Sequence, residues 1–159
     1  GQAEKLFNYV SSLASDSKNL LELYSGTGSL TCYLAENAKN ITTVEEWRGA
    51  VKMAVKNLHA NNFDNFQALC GRSEEIISDL RDNYDSVVLD PPRDGCERRV
   101  IEAINDFGVR KIIYVSCNPA TLARDCKILA SHDYKLVSIK AFDMFPQTAH
   151  VESVVVMQK

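Results

Sequence analysis

"NLLELYSGTGSLTCYLAENAKNITTVE", residues 19–45, holds two apolar runs separated by a glycine turn and a helical pattern. The first run, over 19–24, is short and nearly continuous, as a strand buried on both faces requires. The pattern over 28–38 repeats apolar residues at helical spacing. The run over 40–45 is rich in β-branched residues and reads as a second strand. A strand, a helix and a strand in this order form a crossover unit, which implies parallel pairing.

The same alternation continues outward in both directions. An amphipathic helix over 4–14 precedes the unit. Helices over 47–61, 73–80, 96–106 and 119–131 alternate with strands over 66–70, 84–90 and 111–116. The last two strands, over 134–143 and 150–158, have no helix between them, so they form an antiparallel pair, with Pro146 and Gln147 in the joining loop. The expected fold is α/β, a mostly parallel doubly wound sheet with an antiparallel last strand. No linker, repeat or low-complexity segment interrupts it, and a single domain over 1–159 is expected.

Composition agrees with a globular class: 45% hydrophobic and 25% charged residues. No apolar run reaches the roughly 20 residues needed to cross a bilayer, and the first ten residues lack the pattern of a signal peptide. The five cysteines at 32, 70, 96, 117 and 126 form no C-x-x-C pair. Their odd number and irregular spacing suit free thiols in a reducing, cytoplasmic setting, and no metal site is expected. Cys32, Cys70 and Cys126 fall in helical or strand patterns and are expected to pack. The net charge of −3 gives no general nucleic-acid signal, but residues 93–127 carry a local balance of +2.

In open sheets of this kind, ligands bind beyond the carboxyl ends of the strands. Gly26 and Gly28 lie at the first such end, where they permit a tight turn and let backbone N–H groups approach a ligand. Glu45 ends the second strand, 19 residues after Gly26, where a carboxylate can accept both hydroxyls of a ribose. A dinucleotide fingerprint would need a third glycine at position 31, and the residue there is Thr31. S-adenosylmethionine has a ribose but no pyrophosphate, so two glycines suffice. An ordinary strand–helix turn remains the alternative for the glycines alone; joined to Glu45 and the antiparallel last strand, they point to a Rossmann-like class I methyltransferase.

"VVLDPPRDG" (87–95) ends a strand with Asp90 and two prolines, which cannot continue a ladder. "YVSCNPATLARD" (114–125) ends the next strand with Cys117 at a turn into a helix. A thiol there can attack a substrate beside a bound cofactor. In the last strand, alternation places His150 and Glu152 on one face, and His150 reads as a packing or hydrogen-bonding residue.

Together, "LDPPRDG", "YVSCNPATLARD" and "FPQTAHVE" resemble the signatures of the RNA 5-methyluridine (uracil-C5) methyltransferases, in order and over nearly the whole chain. The resemblance implies S-adenosylmethionine as cofactor, tRNA or rRNA as substrate, Cys117 as nucleophile and Glu152 as general base. It also implies cofactor contacts at Tyr24, Gly26, Gly28, Ser29 and Glu45, and a place for Asp90 beside both the methyl donor and the target base. Two departures stand out. The family's glutamine-bearing segment ahead of the first helix and its N-terminal RNA-gripping regions have no counterpart, so a catalytic domain alone is expected. Arg72 stands where many relatives carry an acid or amide that receives the adenine amino group, and a guanidinium cannot accept a hydrogen bond. A domain that holds cofactor or RNA without efficient turnover is the alternative reading. A Rossmann oxidoreductase would leave Cys117 and Glu152 unexplained.

Overall fold

The computed structural model describes residues 1–81, 83–144 and 151–159. Their order is α1 (Gln2–Leu13), β1 (Asn19–Leu23), α2 (Ser29–Ala35), β2 (Asn40–Glu45), α3 (Arg48–Ala60), β3 (Phe66–Cys70), α4 (Ser73–Ile76), β4 (Ser86–Leu89), α5 (Arg98–Asp106), β5 (Lys111–Ser116), α6 (Pro119–Ala130), β6 (Lys135–Asp143) and β7 (Val151–Gln158). The helix expected over 73–80 is a single α-turn that tightens into a 3₁₀ turn over Ile77–Asp79.

The seven strands lie in the order β3-β2-β1-β4-β5-β7-β6. All run parallel except β7, which pairs antiparallel with both β5 and β6. The crossover through α6 therefore leaves a gap one strand wide, and the chain returns to fill it.

Alternation along β1 explains why the sheet is covered twice. Leu21 and Leu23 point to one face, with Leu89, Tyr114 and Met157, and pack on α5 and α6 through Ile101, Ile104 and Leu129. Leu20 points to the other, with Val88, Ile113 and Val154, and packs on α1 and α2 through Val10 and Leu34. Fully burying a large aliphatic side chain contributes about 1.5–3 kcal/mol, so the two faces together hold the strand ends in register.

Candidate functional site

β1 lies between β2 and β4, and the turn that leaves it is strained into shape. Tyr24, Gly26 and Gly28 all have positive φ, at 64°, 55° and 79°. Gly28 has a packing reason as well: a Cβ there would lie 2.7 Å from the Ala54 Cβ of α3. The Gly26 N–H donates to Glu45 Oε2 at 2.9 Å, and the Gly28 N–H donates to the Ser25 carbonyl at 3.1 Å. These two N–H groups are thus hydrogen-bonded inside the protein, because the tight turn folds them back. Glu45 is fixed from both sides, its Oε1 accepting the Trp47 N–H at 2.8 Å.

A cavity of about 460 Å³ opens at these strand ends. Tyr24, Glu45 and Asp90 line it, with Arg72 on one wall and Pro92, Gly95 and Glu97 on another. The Tyr24 hydroxyl donates to Glu74 at 2.9 Å, and burial keeps it protonated. Ser29 is the exposed first residue of α2, with its Oγ 3.4 Å from Thr27 Oγ1. Size, fixed carboxylate and a crevice rich in carboxylates suit a ligand with ribose hydroxyls and a positive centre.

Asp90 also lines a second cavity of about 160 Å³, shared with Glu152 and walled by Leu6, Phe7, Val115 and Met144. One acid therefore stands where the two cavities meet. Its side chain opens to the crevice, yet protein atoms crowd it, and that crowding together with the Glu152 charge pushes its pKa up to about 7. Glu152 is half-buried, and its carboxyl is raised by loss of water.

The register of β5 and β7 places the thiol. Ser116 pairs with Ser153 as the last pair of that ladder, so Cys117 and Glu152 each lie one residue beyond it, Cys117 where the chain leaves β5. Leu89 pairs with Tyr114, so Asp90 follows on the adjoining strand. Cys117 is partly exposed. The Asn118 side chain caps α6 by accepting the Ala120 N–H at 3.0 Å.

Sequence reasoning missed the loop wall at 92–97, the Glu74 partner of Tyr24, and the α1 residues Leu6 and Phe7. It also missed Glu22, a fully buried acid in β1 that accepts a 2.7 Å hydrogen bond from Thr31 and whose pKa burial pushes up to about 8. The glycine of "PRDG" was the available signal for the wall, since Gly95 has φ of +78°. The expectation that Cys70 packs is corrected: β3 ends at the crevice rim, and the side chain is exposed, with its thiol 3.7 Å from the Glu46 carbonyl. His150, Pro146 and Gln147 lie outside the described residues. Among the described residues, no cluster of three His, Cys, Asp or Glu side chains could hold a metal, and no helix is long and apolar enough to cross a membrane.

A doubly wound sheet with only its seventh strand reversed, and acids at the ends of β2 and β4, defines the class I S-adenosylmethionine-dependent methyltransferase fold. Residues 2–159 match the tRNA (uracil-5-)-methyltransferase family model, and the chain belongs to that family. An uncharacterized RNA methyltransferase of Clostridium tetani is 40% identical over 98% of this chain and 35% of its own length. One from Gloeobacter violaceus is 40% identical over 92% of this chain and 32% of its own. The chain thus spans about a third of the curated relatives it matches. The Pyrococcus abyssi tRNA (uracil-54, C5)-methyltransferase, solved with S-adenosyl-L-homocysteine, superposes with a TM-score of 0.88. It is 37% identical over 98% of this chain and 38% of that one. The N-methyltransferase NodS of Bradyrhizobium japonicum, 16% identical with a TM-score of 0.80, shares the fold alone.

Proposed function

We propose that this chain carries out S-adenosylmethionine-dependent methylation of uridine C5 in RNA through a covalent Cys117–C6 adduct. The observation that carries the proposal is Asp90 at the junction of the two cavities, with Glu152 lining the smaller one and Cys117 following the end of β5, one residue beyond the Ser116–Ser153 pair. Glu45 would hold the ribose in the larger cavity, and the base would enter the smaller one. When bound, the cofactor supplies an electrophilic methyl group on a sulfonium.

Uracil C5 is a weak nucleophile until electrons are pushed into the ring. Cys117 Sγ, having lost its proton to solvent, bonds to C6 and leaves an enolate across C5 and the C4 carbonyl. C5 would then take the methyl group, the sulfonium's bond to that carbon breaking to leave a neutral thioether. Glu152 removes the C5 proton, the C5–C6 double bond re-forms, and the C6–S bond breaks to release the thiolate. Desolvation makes Glu152 a stronger base than an ordinary carboxylate. Tyr24 lines the cofactor's end of the crevice in this reading and Gly26 and Gly28 fold the turn behind it, whereas Ser29 is not among the lining residues. RNA is the macromolecular partner in this reading; the positive balance over 93–127 does not mark its site, since Arg110 and Lys111 pair with Asp16 at the start of β5, the opposite end of that strand from Cys117.

RNA carrying 5-fluorouridine tests the mechanism, because fluorine cannot leave C5 as a proton. A denaturation-resistant protein–RNA adduct is expected. It should vanish in Cys117→Ala and persist in Cys126→Ala. An adduct that survives Cys117→Ala would overturn the proposed nucleophile.

A further inference from the structure

The second half of the cysteine motif, "NPATLARD", lies beyond the thiol and has no part in the chemistry above. Its polar side chains all reach one place. Asn118 Nδ2 and Thr121 Oγ1 each donate to the Arg93 carbonyl at 3.0 Å. Arg124 Nη2 donates to the Asp94 carbonyl at 2.8 Å and to the Cys96 carbonyl at 3.3 Å. Asp125 Oδ2 accepts the Cys96 N–H at 2.8 Å and the Tyr114 hydroxyl at 2.6 Å. Arg124 Nε closes the set on Asp125 Oδ1 at 2.8 Å.

Helical spacing puts residues 118, 121 and 125 on one face of α6, directed at the loop after Asp90. The fit leaves no slack. A Cβ at Gly95 would lie 2.5 Å from Asp125 Oδ2 and 2.6 Å from Arg124 Nη2. Asp125 is completely buried, so its bonds are made in a low-dielectric setting, where a charged acceptor without donors would be costly. Arg124 and Asp125 reinforce one another, and the pairing raises the guanidinium's pKa further.

The loop held in this way forms a wall of the larger cavity through Pro92, Asp94, Gly95 and Glu97. The helix that holds it begins two residues after Cys117. We infer that Asn118, Thr121, Arg124 and Asp125 are positioning residues: a clamp that sets the distance between the cofactor wall and the thiol. The inference rests on the proposed function for the identity of the thiol and the contents of the cavity. Misplacing reacting groups by about 1 Å can cost on the order of 100-fold in rate. Loosening the clamp should therefore slow turnover while the cavity still binds.

Arg124→Lys, Thr121→Val and Gly95→Ala probe the clamp from the helix side and from the loop side without emptying the buried Asp125 position. With an unmodified tRNA transcript, kcat should fall by about 10–100-fold in Arg124→Lys and Gly95→Ala, and by about threefold to tenfold in Thr121→Val. The dissociation constant for S-adenosylhomocysteine, measured by calorimetry, should stay within roughly threefold in Arg124→Lys and Thr121→Val. A second readout needs no RNA: the alkylation rate of Cys117 by iodoacetamide, relative to exposed Cys70, should change by at least roughly threefold in each variant. Unchanged kcat in all three would overturn the clamp, as would a loss of cofactor affinity as large as the loss of rate. If the unsubstituted protein methylates nothing, the proposed function fails. The clamp is then decided by alkylation alone, and an unchanged Cys117-to-Cys70 ratio sinks it.

Discussion

Glu45 and Asp90 end the strands that flank β1 on either side, yet the protein treats the two acids in opposite ways. Glu45 receives two backbone N–H groups, one on each oxygen. Among the described residues nothing donates to Asp90 or Glu152, and both carboxyls are pushed upward. The side of the crevice that the proposed function gives to the cofactor is thus built on a satisfied carboxylate with a fixed direction. The side that the proposed function makes the reacting one keeps two carboxyls raised by burial. A binding group gains from being pre-oriented, whereas a general base gains from a pKa near the working pH.

The strongest way to break that division is at Glu152. Glu152→Gln removes the proposed base but keeps the shape, so turnover should fall by about 100-fold to 10,000-fold. Addition and methyl transfer do not require this carboxylate, so methylated RNA should accumulate covalently attached to Cys117. Mass spectrometry of the trapped complex reads this directly. Full turnover in Glu152→Gln would move the base elsewhere.

Glu45→Ala tests the opposite side. The affinity for S-adenosylhomocysteine should weaken by roughly 1–3 kcal/mol, the scale of a lost hydrogen-bonded charge. Calorimetry well below the thermal midpoint separates this from the loss of the Gly26 and Trp47 tethers. Unchanged affinity would place the ribose away from β2.

Glu22 sharpens the comparison through pH. Its folded pKa of about 8 lies above the ordinary value of 4.5, because burial outweighs the Thr31 hydrogen bond and the charge of Asp90, which ionises first, adds to it. The native state therefore holds this proton more tightly than the unfolded chain. Its stabilising effect is complete below about pH 4.5 and fades as pH rises through about 8. The thermal midpoint should fall across that window. Glu22→Gln, which keeps an acceptor for Thr31, should flatten the fall, with a gain on the order of 1 kcal/mol per unit of pKa shift removed. A variant that shifts the midpoint equally at pH 5 and pH 8 would show that Glu22 is not the group responsible.

The placement of these groups along the chain was partly legible in the sequence, for a physical reason, although their opposite treatment was not. Strand ends are marked by glycine, proline and the breakdown of apolar runs, so Glu45, Asp90 and Cys117 could be set along one edge of a sheet before any coordinates, while Glu152 joined them only through the family resemblance. The placement of β7 between β5 and β6 was not legible, because a two-strand pairing says nothing about which neighbour lies on the far side. The loop at 92–97 was equally hidden, since its shape comes from side chains about 25 to 30 residues away on α6. Thr31 was read only as a missing glycine. The structure gives it a positive role, as the donor that makes a buried acid tolerable.

The smallest expected effect is at Arg72, on the wall of the larger cavity. Its guanidinium lies 3.1 Å from Glu97, 3.6 Å from Glu74 and 3.9 Å from Glu75, and it is half exposed. The pairs with Glu75 and Glu97 are exposed and contribute about 0–1 kcal/mol each, while the longer 3.6 Å pair reaches the mostly buried Glu74. An arginine has donors only, and an adenine amino group needs an acceptor. Arg72→Gln supplies one, and affinity for S-adenosylhomocysteine should then tighten by a few-fold, within about 1 kcal/mol. Arg72→Ala separates the two contributions: it removes the ion pairs without adding an acceptor and should leave affinity nearly unchanged. If both variants bind more weakly than the parent chain, Arg72 is itself a contact for the cofactor. The cofactor side would then rest on a charge as well as on backbone-tethered Glu45, and the contrast with the reacting side would narrow.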